Sequence, residues 1–271
     1  MATVQERPEH LPDFRAPPLD EVAMGVQFNE PPGYSQIRAW EVWSLFRDEY
    51  PDVREQPPLP PMFETFGPPS QLPTIPFRLM SQSPHPRYWF ARSDESELVQ
   101  FQKDRLLHNW KKTADGSNVY PRFESLRERF AIDLSKLNGF FQELTKQPLH
   151  INQCEINYVN NIESGSQIVP SDWIRLLNLD GERPEDFALN FRERILGENG
   201  RPLGRFFCEI ANAYRPNGQS FLVVNMIVRG APADSSIEAA LEFLTLGREK
   251  IVTKFAAITT DSAHATWERV R

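Results

Sequence analysis

An α+β fold built on an antiparallel sheet is what this sequence predicts, on three observations. Strand-like runs follow one another directly, joined in two places by Asn-Gly turns; two long stretches carry apolar residues at intervals of three and four; and strand and helix do not alternate as a doubly wound parallel sheet would require. The expectation is a single α+β domain over residues 19–271, with a largely antiparallel sheet of about seven strands and two long helices and one shorter helix packed on it. Residues 1–18 precede it as an extended N-terminal arm, proline-bearing and without periodicity.

The elements follow in order. Val22, Met24, Val26 and Phe28 alternate with Ala23, Gly25 and Gln27, the period of a strand with one buried face. After the Pro31-Pro32-Gly33 break, Ile37, Trp40, Trp43 or Val42, and Phe46 recur at helical spacing up to Tyr50, where Pro51 ends the run. Two tryptophans on so short a helix predict deep packing. Residues 57–86 form a proline-rich excursion, where missing donors and fixed φ preclude both helix and ladder strand. Tyr88–Arg92 and Leu98–Asn109 read as a hairpin across Ser93-Asp94-Glu95-Ser96, its second arm long and bulged. Phe123, Leu126, Phe130, Leu134, Leu137, Phe141 and Leu144 make the stripe of a long amphipathic helix, with Asn118 as the expected N-cap.

Beyond Pro148, Cys154, Ile156, Tyr158 and Ile162 alternate with polar residues in a strand, and Ser171–Leu177 reads as a helical turn. Phe187–Leu196, Leu203–Tyr214 and Phe221–Val228 form a meander through Asn199-Gly200 and Asn217-Gly218. Ile237, Leu241, Leu244, Ile251, Phe255 and Ile258 mark a second long helix behind Asp234 or Ser235 as cap. The order suggests a loose duplication of a strand-helix-hairpin-helix unit, with halves 19–147 and 148–271, in topology and not in residues.

Composition narrows the function classes. Hydrophobic residues at 40% and charged residues at 25% fit neither a disordered chain nor a membrane protein. A net charge of −7 gives no bulk attraction to phosphate or anionic lipid, so nucleic-acid binding would need a local patch. Cys154 and Cys208 lie inside apolar runs without metal-ligand spacing and read as small buried hydrophobes. Met1–Phe14 has no apolar stretch of a secretion signal, and Phe221–Val228 falls far short of the roughly 20 residues of a membrane span. Cytoplasmic residence and no membrane partner are therefore expected.

No Gly-rich phosphate loop, serine elbow, His-Glu-x-x-His or Cys-x-x-Cys occurs, so neither cofactor nor metal is expected. His10, His85, His108, His150 and His264 are scattered, and each reads as structural or solvated. The densest cluster is residues 103–112, where Arg105, Lys111 and Lys112 are interleaved with Trp110 in the manner of a single-strand binder; the commoner use of such a tryptophan is to plug a domain edge. Glu155, Asn157, Val159 and Asn161 would share a wet strand face, which sends Tyr158 and Asn160 inward, where a buried amide needs partners. Arg192, Arg194 and Glu209 on adjacent strands would line a groove or, more commonly, pair across a wet face.

Four stretches then combine. Ala16-Pro17-Pro18-Leu19-Asp20-Glu21-Val22, Leu98–Arg105 running into Asn109-Trp110, Tyr120-Pro121, and Asn157-Tyr158-Val159-Asn160 together resemble a sporadically distributed family of uncharacterised bacterial proteins, from about Phe14 to Trp267. The resemblance implies no activity, cofactor or catalytic residue. It does single out Arg105, Asn109, Trp110, Tyr158 and Asn160 as candidate binding residues, because they coincide with the family's motif positions. The patchy distribution is similar to that of phage-defence and toxin-antidote genes, an analogy only. The functional expectation is a non-catalytic recognition module that binds a protein or other macromolecule. The alternative is an enzyme of unknown class with its site between sheet and helices, using Glu155 or Glu209 as acid or base and Arg105 or Arg192 as anion clamp. Single-stranded nucleic-acid binding through residues 103–112 comes third.

Overall fold

The computed structural model describes residues 7–66, 85–164, 168–177 and 186–271. Among these, nine strands make one antiparallel sheet: β1 (Leu19–Phe28), β2 (Asp52–Gln56), β3 (Arg87–Ala91), β4 (Glu97–Gln102), β5 (Arg105–Lys111), β6 (Ile151–Glu163), β7 (Ala188–Leu196), β8 (Pro202–Tyr214) and β9 (Ser220–Gly230). Their spatial order is β2-β3-β4-β5-β1-β6-β9-β8-β7. Five helices accompany them: α1 (Ala39–Ser44), α2 (Phe123–Thr145), α3 (Pro170–Trp173), α4 (Ile237–Ile258) and α5 (Asp261–Thr266). The order mirrors itself about the central β1–β6 pair. β1 pairs with β5, the last strand of the meander that α2 follows, and β6 pairs with β9, the last strand of the meander that α4 follows.

The α+β class and the antiparallel sheet are as expected; the element counts are larger. Residues 97–111 are not one bulged arm but two strands folded tightly at Lys103-Asp104. β2 is an edge strand whose residues are exposed or nearly so, and without a buried face it has no alternation to read. α1 is a single short helix resting on Val42, with Phe46 buried just beyond it. Only one of its tryptophans packs: the indole N–H of Trp43 donates to the carbonyl of Tyr50 at 3.2 Å, whereas Trp40 points outward, 64% exposed. Asn118 does not cap α2. It accepts from the Thr113 amide at 2.8 Å and donates to the Lys111 carbonyl at 2.7 Å, closing the loop after β5, and the helix starts behind Arg122. Ser236, one residue past the expected pair, caps α4 by accepting from the Ala239 amide at 3.1 Å. Residues 67–84 of the proline-rich excursion lie outside the described residues.

The core lies between one sheet face and the long helices. Val22, Met24, Val26 and Phe28 of β1, Ile156 and Ile162 of β6, and Val224, Met226 and Val228 of β9 face Phe130, Leu134 and Leu137 of α2 and Leu244 and Ile251 of α4. Cys154 and Cys208 are unpaired and buried within this layer, and burial pushes the Cys208 thiol up to about 12. Residues 11–14 are packed in beside it: the amide of Val270 donates to the carbonyl of Asp13 at 2.8 Å, and Leu11 and Phe14 are buried. No helix among the described residues is long and apolar enough to cross a membrane.

α4 approaches the sheet closely at Gly247, where a Cβ would stand 2.6 Å from Cγ2 of Ile156 and 3.2 Å from Val228. Alanine is the better helix former by about 1 kcal/mol, yet Ile156 is fully buried and β-branched and has nowhere to move. Overpacking wins, and Gly247→Ala should lower stability by a net of about 1–2 kcal/mol. Urea unfolding checks this; a raised midpoint would show that the helix backs away without loss.

Candidate functional site

The pleat separates the five candidate residues onto two faces. Along β5, Leu106, His108 and Trp110 point to the helices, while Arg105, Leu107 and Asn109 point away. In β6, Tyr158 and Asn160 point to the helices. Trp110 and Tyr158 flank Val22 of β1 in register. Tyr120 joins them, its ring 5.1 Å from that of Trp110 and its hydroxyl 3.1 Å from that of Tyr158. Asn160 donates to the carbonyl of Val224 at 3.3 Å, the backbone partner a buried amide needs. Tyr158 and Asn160 line a small cavity of about 50 Å³ against Arg7, Asp13 and Phe14 of the arm. Trp110, Tyr158 and Asn160 are thus core residues, and Arg105 and Asn109 belong to a different surface.

That surface is the face opposite the long helices, and it is rich in amides and guanidinium groups. Gln100 accepts from Arg87 at 2.7 Å and from the Trp89 indole at 3.0 Å, and donates to Asn109 at 2.8 Å; Asn109 donates to Glu21. Arg105 reaches Asp104 and Gln27. Arg229 pairs with Glu155, its register neighbour across β6 and β9. Asn225 donates to Glu209 at 3.1 Å, and Arg192 lies over the ring of Phe207 at 5.3 Å.

The first part of the proline-rich excursion, residues 57–66, crosses this face and is held by side chains instead of a ladder. Within Pro57-Pro58-Leu59-Pro60-Pro61-Met62 only Leu59 and Met62 own an amide N–H, since proline has none. Each of the two finds a glutamine: Leu59 N–H donates to Oε1 of Gln102 at 2.8 Å, and Met62 N–H to Oε1 of Gln27 at 3.0 Å. Gln102 also donates to the Leu59 carbonyl at 2.9 Å, and Arg105 to the Pro60 carbonyl at 2.9 Å. Further along, Glu64 sits between Arg205 at 3.2 Å and Arg229 at 3.3 Å, and Arg205 donates to the Thr65 carbonyl at 2.8 Å. This segment is a strap, and between Pro57 and Met62 both of its amide donors are read by glutamines of the sheet.

Beside the strap the same chemistry continues unused. In register across the sheet stand Asn109, Ala23, Asn157, Ile227 and Phe207, with Val159, Asn225 and Glu209 in the next row. Oδ1 of Asn157 and Oδ1 of Asn225 are buried atoms with no hydrogen-bond partner, as is Oε1 of Gln153. Unsatisfied acceptors of this kind are rare in folded proteins and call for a donor. The alternation of β1 and β6 gave the signal for the faces of Gln27 and Asn157, but Gln102 and Asn225 carried none: their role comes from which strands the topology makes neighbours.

On the helix side, sequence reasoning missed one cluster. His108 is enclosed, with Nδ1 at 3.0 Å from Asp133 of α2 and Nε2 at 3.2 Å from Glu97 of β4, and Arg129 pairs with Glu97. Both ring nitrogens are occupied and His108 is 1% exposed, so no substrate reaches the imidazole. The cluster ties α2 to the sheet. Among the described residues no group of three or more His, Cys, Asp or Glu gathers in an arrangement that could hold a metal ion.

Comparison of the chain with protein-family models, with curated proteins and with solved structures finds no match in any of the three.

Two outcomes follow from this geometry. Trp110→Ala should cost about 3–5 kcal/mol of stability by denaturant unfolding, the range for a large aromatic removed from a core; a near-neutral result would return the ring to a binding role. The His108 cluster sets a pH dependence. Burial by itself would lower the His108 pKa, but the hydrogen bonds to Asp133 and Glu97 outweigh it and hold it above 6.5. Burial by itself would raise the Glu97 pKa, but His108 and Arg129 outweigh it and hold it below 4.5. The raised histidine contributes stability that is complete below 6.5 and is lost as pH rises through its folded pKa. The depressed carboxylate contributes stability that is complete above 4.5 and is lost as pH falls through its own. Urea midpoints should therefore be highest between these values. His108→Gln should lower stability throughout, by about 3–5 kcal/mol for a broken buried ion pair, and remove the alkaline decline; parallel profiles for the two proteins would refute the assignment.

Proposed function

We propose that the protein is a non-catalytic recognition module whose working surface is the sheet face opposite the long helices, and whose partner is a protein that presents an extended segment. The observation that carries this reading is the strap: the face grips an extended backbone through amide side chains, and Asn157 and Asn225 offer the same unfilled acceptors alongside it. An extended chain supplies amide donors at regular intervals, and a flat polar sheet suits its reach. We read the halves 19–147 and 148–271 as a duplicated unit meeting at β1 and β6, which puts this track on the seam between them. A toxin-antidote setting would suit such a module, because an antidote acts by covering its target and needs no chemistry of its own.

The other readings have less support. Glu155 is held by Arg229, Glu209 by Asn225, and Arg105 by Asp104 and the strap, so of the groups in the enzyme reading only Arg192, over the ring of Phe207, keeps its donors open. The nucleic-acid reading loses its stacking platform, since Trp110 is 3% exposed, and its Arg105.

A photo-crosslinking amino acid placed at Asn157 tests the proposal in the native host, with the exposed Glu128 of α2 as control position. The expected result is a protein adduct specific to position 157, and a binding loss of about five- to tenfold when Asn157→Leu removes the acceptor. Adducts to nucleic acid alone, or equal adducts from Glu128, would overturn it.

A further inference from the structure

Between strap and sheet lies a cavity of about 190 Å³. Leu59 and Met62 of the strap wall one side, Leu107 lies over Gly25 on the other, and Gln153 of β6 stands at its edge. The volume exceeds the ~150 Å³ that accommodates a benzene ring in an engineered apolar cavity.

Its polar groups are unequal. Gln27 Oε1 is taken by the Met62 amide, Arg105 by Asp104 and the Pro60 carbonyl, and Glu155 and Arg229 by each other. Gln153 alone is incomplete: the residue is 5% exposed and its Oε1 has no partner. A water needs two to four polar partners, and apolar walls with a single open acceptor meet that need poorly. They match instead a group that is apolar in body and carries one hydrogen-bond donor. The guanidinium groups along the walls are already matched by carboxylates, so no charge on the ligand is called for.

We propose that this cavity is a binding site for a small uncharged group with an apolar body and one O–H or N–H donor, the donor on Oε1 of Gln153 and the body between Leu59, Met62 and Leu107. The site stands whether or not the open face binds an extended chain. The group could be a free small molecule or a side chain of a bound protein, and the two sources share this chemistry.

The experiment is a titration of the full chain with phenol and with toluene, which differ by the donor, followed through the Met62 methyl resonance. Phenol should shift that resonance saturably and bind at least tenfold more tightly than toluene. Gln153→Met, which keeps the shape and deletes the acceptor, should bring the two within about twofold. Leu59→Trp, on the strap and outside the sheet, should fill the cavity and abolish both. A Gly-Tyr-Gly peptide that binds more tightly than phenol identifies a partner's side chain as the source; phenol bound and the peptide excluded identifies a free small molecule. Equal binding of phenol and toluene, a preference that survives Gln153→Met, or no saturable binding by either probe would overturn the proposal, the last by leaving water as the only occupant.

Discussion

The antiparallel pairing of β1 with β6 is the contact on which the rest depends. Its ladder runs from Leu19 opposite Asn160 to Phe28 opposite Ile151. Without it, each half would be a four- or five-stranded sheet with an open central edge and a helix on one side. With it, the apolar residues of both halves form one layer under α2 and α4, and the polar residues form one continuous face on the reverse. The remaining edges are the outer strands. β2 presents Asp52, Arg54 and Glu55, and β7 presents Arg192, Glu193 and Arg194, charges that discourage pairing with another chain.

How much of this was legible depended on whether a segment had one wet and one dry side. β6 and β9 alternate cleanly because one face meets the core, and α2 and α4 show the helical period for the same reason, whereas β7 buries Ile195 alone. β2 is wet on both sides, and β4 with β5 is nearly dry on both, so neither shows the period. The candidate site was half legible. Tyr158 and Asn160 fell inward as the alternation required, but Arg105 and Trp110, five positions apart on one strand, necessarily face opposite ways. A cluster contiguous in sequence is divided by the pleat, whereas Gln27, Gln102 and Gln153 come together only through strand order.

The two faces handle polarity by different rules. On the dry face, His108 forms a closed set with Asp133 and Glu97, which leaves little for an outside ligand, whereas Arg248 pairs with Glu124 at 2.6 Å and keeps a buried Nε without a partner. On the reverse face, amides serve two partners at once: Gln102 meets Leu59 of the strap and donates to Asp104 at 2.9 Å, and Gln27 meets Met62 of the strap and donates to Asn152 at 3.2 Å. An amide offers both a donor and an acceptor without a full charge to desolvate, so a face built from amides can exchange one backbone for another at modest cost.

The prolines of the strap decide which amide donors it carries. In Pro57-Pro58-Leu59-Pro60-Pro61-Met62, four positions lack an amide hydrogen, and the two that keep one stand opposite Gln102 and Gln27. Pro57, Pro58, Pro60 and Pro61 are all exposed, so amide hydrogens in their place would meet water, and what proline contributes is a fixed φ that limits the freedom lost when the chain is seated. The two glutamines then bind the only amide donors that this stretch carries. The neighbouring track, with Asn157 and Asn225 unfilled, is not matched to a donor-poor segment of this kind. On the proposed reading its occupant is an ordinary extended chain with amide donors to give, lying beside the strap.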